Sequence, residues 1–234
     1  MKRFWTSAGV RAAGDGAGAG FEVALDGKPL RTPGRAAMIL PTRPLAEAMA
    51  AEWDAQTERV DPLAMPLTRA ANTAIDRVLP DPPAVADEIA RYGETDLLCY
   101  RAPEPAALRA EQAAAWDPLL DWAAERHGAR LVPRDGVMFA AQERAAIARL
   151  ADAVAACDAW RLTGLFELVT LSGSLVLGLA CLGGRLDAAE CWRLSRIDED
   201  WNIREWGEDA EAAATAARRE AALHAAARLI ALLG

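Results

Sequence analysis

The 234 residues are 53% hydrophobic and 26% charged, enough to bury a large core without staples and unlike the composition of a disordered chain. A formal charge of -8 at pH 7 excludes a general nucleic-acid binder, which needs surplus Lys and Arg to neutralise phosphate. The imbalance is uneven: residues 1–70 hold nine basic and eight acidic side chains, leaving seventeen basic against twenty-six acidic for 71–234.

The N-terminus, MKRFWTSAGVRAAGDGAGAG, has basic residues but no apolar core of signal-peptide length and no amphipathic targeting helix, so a cytoplasmic protein is expected. The Gly/Ala stretch between Ala13 and Gly20 reads as a flexible linker. GDGAGAG resembles a dinucleotide loop only superficially, because it precedes a strand instead of following one and opening a helix.

Phe21, Val23 and Leu25 then alternate with Glu22 and Ala24, the period of a half-buried strand. Asp26-Gly27 predicts a type I′ hairpin returning through Lys28 to Thr32, and Pro33-Gly34 turns the chain into a third strand, Ala36 to Leu40. Thr42 is placed to cap a helix whose Leu45, Met49, Trp53 and Gln56 lay one stripe on that sheet. Pro62 and Pro66 bracket a short connection. Thr68 is placed to cap a second helix through Ala71, Ile75 and Val78, which Pro80-Asp81-Pro82-Pro83 ends.

From Ala84 onward strand signals nearly vanish and Ala-rich helical periodicity dominates. Asp117-Pro118 reads as a helix start between Trp116 and Trp122. Leu162 to Leu182 is apolar nearly all round with Glu167 its sole charge, which suits a central bundle helix. Its length approaches that of a membrane span, but Glu167 and the hydroxyls of Thr163, Thr170, Ser172 and Ser174 argue against insertion. Gly173, Ser174 and Gly178 let another helix come close. Glu167 either pairs with a neighbouring helix or is an activated carboxylate. The fold class is therefore a small α+β domain over 1–70 followed by an all-α bundle over 71–234, with the boundary between 61 and 83.

The chemistry available is narrow. The cysteines Cys99, Cys157, Cys181 and Cys191 form no CxxC pair and read as reduced, mostly buried thiols. His127 and His224 have no second His or Cys at helical spacing, so no zinc site and no local catalytic triad can be built. No metal or other cofactor is expected.

What remains is Arg193 to Glu211, RLSRIDEDWNIREWGEDAE, which sets Trp201 and Trp206 among seven carboxylates and three arginines. Leu194, Ile197 and Trp201 give the buried stripe of a helix starting near Asp187. Arg196–Asp200 and Asp200–Arg204 are i,i+4 pairs of opposite charge, each contributing about 0.2–0.5 kcal/mol. Gly207 ends that helix, and Glu208-Asp209 supplies charge at the N-terminus of the next, Ala210 to Leu233. The junction is read in three ways: a solvated, self-paired surface, a protein-docking surface, or catalytic carboxylates drawn from Asp198 to Glu211. The docking reading names Trp206 with Glu199, Glu205, Glu208, Asp209 and Glu211, since aromatics anchor and charges steer.

One set of short motifs runs through almost the whole chain: Arg31-Thr32-Pro33, Glu52-Trp53 with Gln56, Met65-Pro66-Leu67-Thr68 and Asn72-Thr73-Ala74-Ile75-Asp76. It continues with Asp96-Leu97-Leu98-Cys99-Tyr100-Arg101, Gln112, Trp116-Asp117-Pro118, Trp122, Leu194-Ser195-Arg196 and Trp206-Gly207. In this order they resemble the family of assembly chaperones for the catalytic head of ATP synthase, the factor that binds the newly made alpha subunit. The resemblance implies a small α+β domain before a helical one. It further implies a non-enzymatic protein that shields the alpha subunit's assembly surface until the beta subunit replaces it. Mitochondrial members carry a presequence, so a bacterial cytoplasmic member is expected here. The contrasting expectation, carried by carboxylate density alone, is an enzyme using Glu167 or the Asp198–Glu211 cluster, with a divalent cation or as an acid and base pair.

Overall fold

Strand β2 (Gly20–Leu25) is the centre of a four-stranded antiparallel sheet. The computed structural model describes residues 2–14 and 20–234, so the GDGAGAG segment and its expected flexibility lie, apart from the ends, outside the described residues. One edge of β2 pairs along its whole length with β1 (Ala8–Ala13), from Ala8 opposite Leu25 to Ala13 opposite Gly20. The other edge is shared by β3 (Lys28–Pro29) and β4 (Ile39–Leu40). Asp26 and Gly27 both have positive φ, 46° and 82°, as a type I′ turn demands. β3 and β4 are shorter than the alternation suggests, with one further bridge between Arg31 and Ala37. β1 was not expected. Its sequence, AGVRAA, has only Val10 as a large apolar side chain and so carries little periodic signal, and the ladder to β2 holds it in place.

Helix α1 (Arg43–Asp54) starts where Thr42 Oγ1 accepts the Leu45 N–H at 3.3 Å. Its Leu45 and Met49 are fully buried with Val23, Met38 and Leu40. Each such side chain stabilises by about 1.5–3 kcal/mol through burial. Trp53 extends the stripe to Trp5, ring centroids 5.2 Å apart.

Helix α2 (Pro66–Thr73) begins two residues before Thr68, with Met65 at the cap position and no side-chain bond of its own. Thr68 is therefore not the cap. The buried Glu52 carboxylate, reaching from α1, takes that part: it accepts the N–H groups of Leu67 (2.7 Å) and Thr68 (2.9 Å) and the Thr68 hydroxyl (2.8 Å). A carboxylate satisfies the orphan donors and suits the positive end of the helix. Beyond α2 a wider π-type turn, Ala74–Val78, carries Asp76, which accepts from Thr32 Oγ1 (2.6 Å) and Gly34 N–H (2.9 Å). A Cβ at Gly34 would come within 2.7 Å of the Asp76 carboxylate, so glycine is required there.

The chain divides into two compact units, neither of them one continuous segment. One comprises the described residues of Met1–Pro82 with Ala159–Gly164 and Arg228–Gly234; the other comprises Pro83–Asp158 and Leu165–Ala227. Trp160 and Leu229 belong to the core of the first.

The second unit is helical but for a two-residue parallel pairing of β5 (Tyr100–Arg101) with β6 (Arg134–Asp135). Helix α3 (Pro82–Ala90) opens on a proline, and α5 (Arg144–Ala155) follows β6. Helix α4 (Ala106–His127) is continuous, and Pro118 lies inside it. The expected helix start is thus corrected: Pro118 removes one N–H from the ladder, but the buried neighbours Trp116, Leu119, Leu120 and Ala123 hold the helix through that loss.

The apolar stretch 162–182 is two helices, α6 (Ala159–Ser172) and α7 (Leu175–Leu182). Gly173 takes φ 73°, and Ser174 Oγ accepts the Leu177 N–H at 3.0 Å to start α7. Gly178 permits the close approach expected of it, since a Cβ there would meet Val169 Cγ2 at 2.5 Å. No helix among the described residues is long and apolar enough to cross a membrane. Helix α8 (Ala188–Leu194) starts at Asp187 in a capping box with Glu190. The helix expected to run on from it breaks at Ser195-Arg196 and resumes as α9 (Ile197–Trp206), followed by α10 (Ala210–Ala231).

Candidate partner-docking site

The support for α9 is a buried polar network within the second unit. Asp96, wholly buried, accepts from Ser174 Oγ (2.7 Å), the Leu98 N–H (3.0 Å) and the Val176 N–H (2.9 Å). Burial raises its pKa to about 6 against the opposing pull of those three donors. Buried Arg101 pairs with Asp117 at 2.7 Å, donates Nε to the Leu98 carbonyl and lies over the Trp116 ring. Trp116 donates its indole N–H to the Leu194 carbonyl at 2.8 Å. Gln112 accepts the Ala102 N–H at 2.8 Å and donates to Asp198 in the first turn of α9 at 2.5 Å. Burial raises the Asp198 pKa, with the Gln112 bond opposing.

Along α9 the pairing is partly as expected. Arg196 meets Asp200 at 3.5 Å and stacks over Trp192. Arg204 does not pair with Asp200; it reaches Glu111 of α4 at 2.6 Å and lies over Trp201. A full-length side chain on another helix offers Arg204 a closer acceptor than its own turn does. Leu194 and Ile197 are buried, while Trp201 is only partly so.

Gly207 ends α9 at φ 89°, and Asp209 caps α10 by accepting the Ala212 N–H at 2.7 Å. Trp206, held at this turn, is 85% exposed. Glu199, Glu205, Glu208, Asp209 and Glu211 are all exposed too, but they do not converge. Glu199, Asp209 and Glu211 line an open groove of about 530 Å³ between α9 and α10, opposite Arg196 and Arg219. Trp206, Glu205 and Glu208 lie outside that lining. Asp198 and Glu199 border a second cleft of about 250 Å³ with Ser195, Arg196 and the Gly173 turn. Glu167 is exposed on α6 and borders neither, so it forms no buried pair with another helix and no joint site with the cluster. Among the described residues no three His, Cys, Asp or Glu side chains are grouped to hold a metal ion.

Sequence reading missed a second exposed apolar element. Val137, Met138 and Phe139 are 90%, 81% and 63% exposed in the loop between β6 and α5, just after Gly136 at φ 83°. The available signal was an apolar run behind Asp135-Gly136, in a segment with no helical or strand period. Val137, Met138 and Phe139 are three consecutive exposed apolar side chains, against the single exposed ring of Trp206.

The motif residues, by contrast, are largely architecture: Glu52, Asp76, Asp96, Arg101, Gln112 and Trp116 each hold elements together from inside. That explains their place in a recognisable pattern. The family model described as ATP12 chaperone protein matches residues 2–124. A crystal structure of Atp12 from Paracoccus denitrificans is 48% identical with a TM-score of 0.94, covering 100% of this chain and 98% of that one. The Atu1473 protein of Agrobacterium tumefaciens is 43% identical, also at 0.94, covering 100% of this chain and 86% of that one. With more than half of its length matched by the family model and all of it by these structures, the chain belongs to the ATP12 chaperone protein family.

Proposed function

We propose that the protein is a chaperone of ATP synthase assembly in the bacterial cytoplasm. It holds the unassembled alpha subunit and masks its assembly surface until the beta subunit takes that place, using neither nucleotide nor metal. The observation that carries the docking surface is Trp206, a whole indole left in water at a helix end whose backbone is fixed on both sides. An aromatic on a rigid element loses little entropy on binding and is the usual centre of an interface. The exposed Glu199, Glu205, Glu208, Asp209 and Glu211 supply a polar, negatively charged rim that steers and selects the client.

Co-purification tests the reading. The full chain is expected to retain unassembled alpha subunit and to release it on addition of beta subunit, and not to retain assembled head. Failure to bind alpha, or equal binding to any unfolded protein, overturns it.

A further inference from the structure

Two exposed apolar features stand on either side of the first turns of α4. On one side the loop after β6 is anchored below its tip. Gly136 donates its N–H to the Arg101 carbonyl at 2.8 Å, and Asp135 pairs with Arg109 of α4, also at 2.8 Å. Gln142 closes the loop by accepting the Val132 N–H at 2.8 Å and donating to the Val132 carbonyl at 3.0 Å. Val137, Met138 and Phe139 lie in water beyond these anchors. On the other side Arg204, two residues before Trp206, ties α9 to Glu111 of α4 at 2.6 Å. Arg109 and Glu111 are two residues apart and so about 200° apart round the helix, with exposed Ala107, Ala110 and Ala114 on the face between them.

The two features carry opposite charge. Residues 126–149, which hold the loop, have five arginines against Asp135 and Glu143, in a chain whose net charge is -8. Asp135 is taken up by Arg109, while Arg134 and Arg144 are exposed before and after the tip. Around Trp206 stand Glu205, Glu208, Asp209 and Glu211, all exposed. Each apolar feature is thus rimmed by the charge that the other attracts.

We propose that two copies of the chain pair through these features, the Val137–Phe139 tip of one seated on the Trp206 corner of the other. A two-fold axis over the exposed face of α4 makes both contacts at once and leaves no free end for further growth. The anchored loop and the fixed helix end lose little entropy in the contact. Mutual repulsion of two chains of charge -8 does not prevent it, because at about 0.15 M salt charges are screened beyond about 8 Å and the facing rims are closer than that. Four apolar side chains a copy fall well short of the about 20–30 residues of a stable interface, so the pair is weak and depends on concentration. Because Trp206 is also the residue proposed to meet the client, a second copy and a client exclude each other there. That consequence rests on the reading of Trp206 above; the self-pairing does not.

Sedimentation equilibrium of the full chain, with no client present, tests the proposal. The wild-type mean mass is expected to rise from 25.0 kDa towards twice that value as the protein is concentrated from about 10 μM to about 1 mM. Phe139→Asp and Trp206→Ala should each weaken the pairing by about tenfold or more while circular dichroism stays that of the wild type, since both side chains are exposed. An equal mixture of the two variants should pair more tightly than either alone, because only the mixture joins an intact tip to an intact corner. A wild-type mass of 25.0 kDa at every concentration, growth beyond two copies, or a mixture no tighter than its components overturns the proposal. None of these results bears on whether the alpha subunit binds, so the self-pairing can fail while the chaperone reading stands.

Discussion

Trp116 and Trp206 belong to the same helical unit and differ in almost everything around them. Trp116 is fully buried, its indole donates to the Leu194 carbonyl, and Arg101 lies over its face. Trp206 is 85% exposed at the end of a helix that Gly207 stops. Around the first, the indole, Arg101 Nε and Arg101 Nη2 each have a partner, and the partners come from several elements. Around the second, carboxylates stand in water and the apolar ring has no cover. The contrast separates residues that build the scaffold from exposed residues proposed to meet a client, and it makes opposite predictions for stability and for binding.

The buried side should break first. Asp96→Ala strips an acceptor from three buried donors and should cost about 3–5 kcal/mol in chemical denaturation; a cost under about 1 kcal/mol would show that the network does not hold the helices. Glu52→Ala removes the acceptor at the start of α2 and should cost about 2–4 kcal/mol by the same measurement. Asp96 also predicts a pH dependence. Its folded pKa, about 6, lies above the ordinary carboxylate value, so the folded state holds the proton more tightly than the unfolded one. Its contribution to stability is complete below about pH 4 and is lost as pH rises through about 6, on the order of 2 kcal/mol. Carboxyl-carbon NMR should place its midpoint near 6; an ordinary midpoint near 4 contradicts the assignment. On the exposed side, Trp206→Ala should change stability by no more than about 0.5 kcal/mol, because the ring leaves no cavity. Loss of several kcal/mol there would mean that Trp206 is scaffold after all.

What could be read in advance follows the same division. Local pattern showed the β2–β3 hairpin, the α1 stripe and the Asp187 and Gly207 boundaries, because alternation, helical spacing and turn residues are properties of a few neighbours. Long-range capping was invisible. Glu52 starts α2 from another helix, and the 162–182 run breaks at Gly173 where Ser174 and Asp96 meet across 78 residues. The α9 pairing failed at Arg204 for the same reason, since Glu111 is distant in sequence and near in space. β1 was missed because AGVRAA has almost no apolar alternation. In the site, the exposure of Trp206 and the carboxylates followed from a charged helix junction, but their division between a groove and its outer corner did not. Val137, Met138 and Phe139 were passed over because apolar residues are assumed to be inside, and only the fold shows that these are not.

The central claim is that the exposed corner, and not the buried network, meets the client. Calorimetric titration of the unassembled alpha subunit into wild-type, Trp206→Ala and Glu208→Lys proteins measures this most directly. Binding should weaken by about tenfold or more for Trp206→Ala, about 1.4 kcal/mol, and by less for Glu208→Lys, with both variants folded as the wild type. Unchanged affinity in both variants would contradict the account and return the corner to ordinary solvated surface.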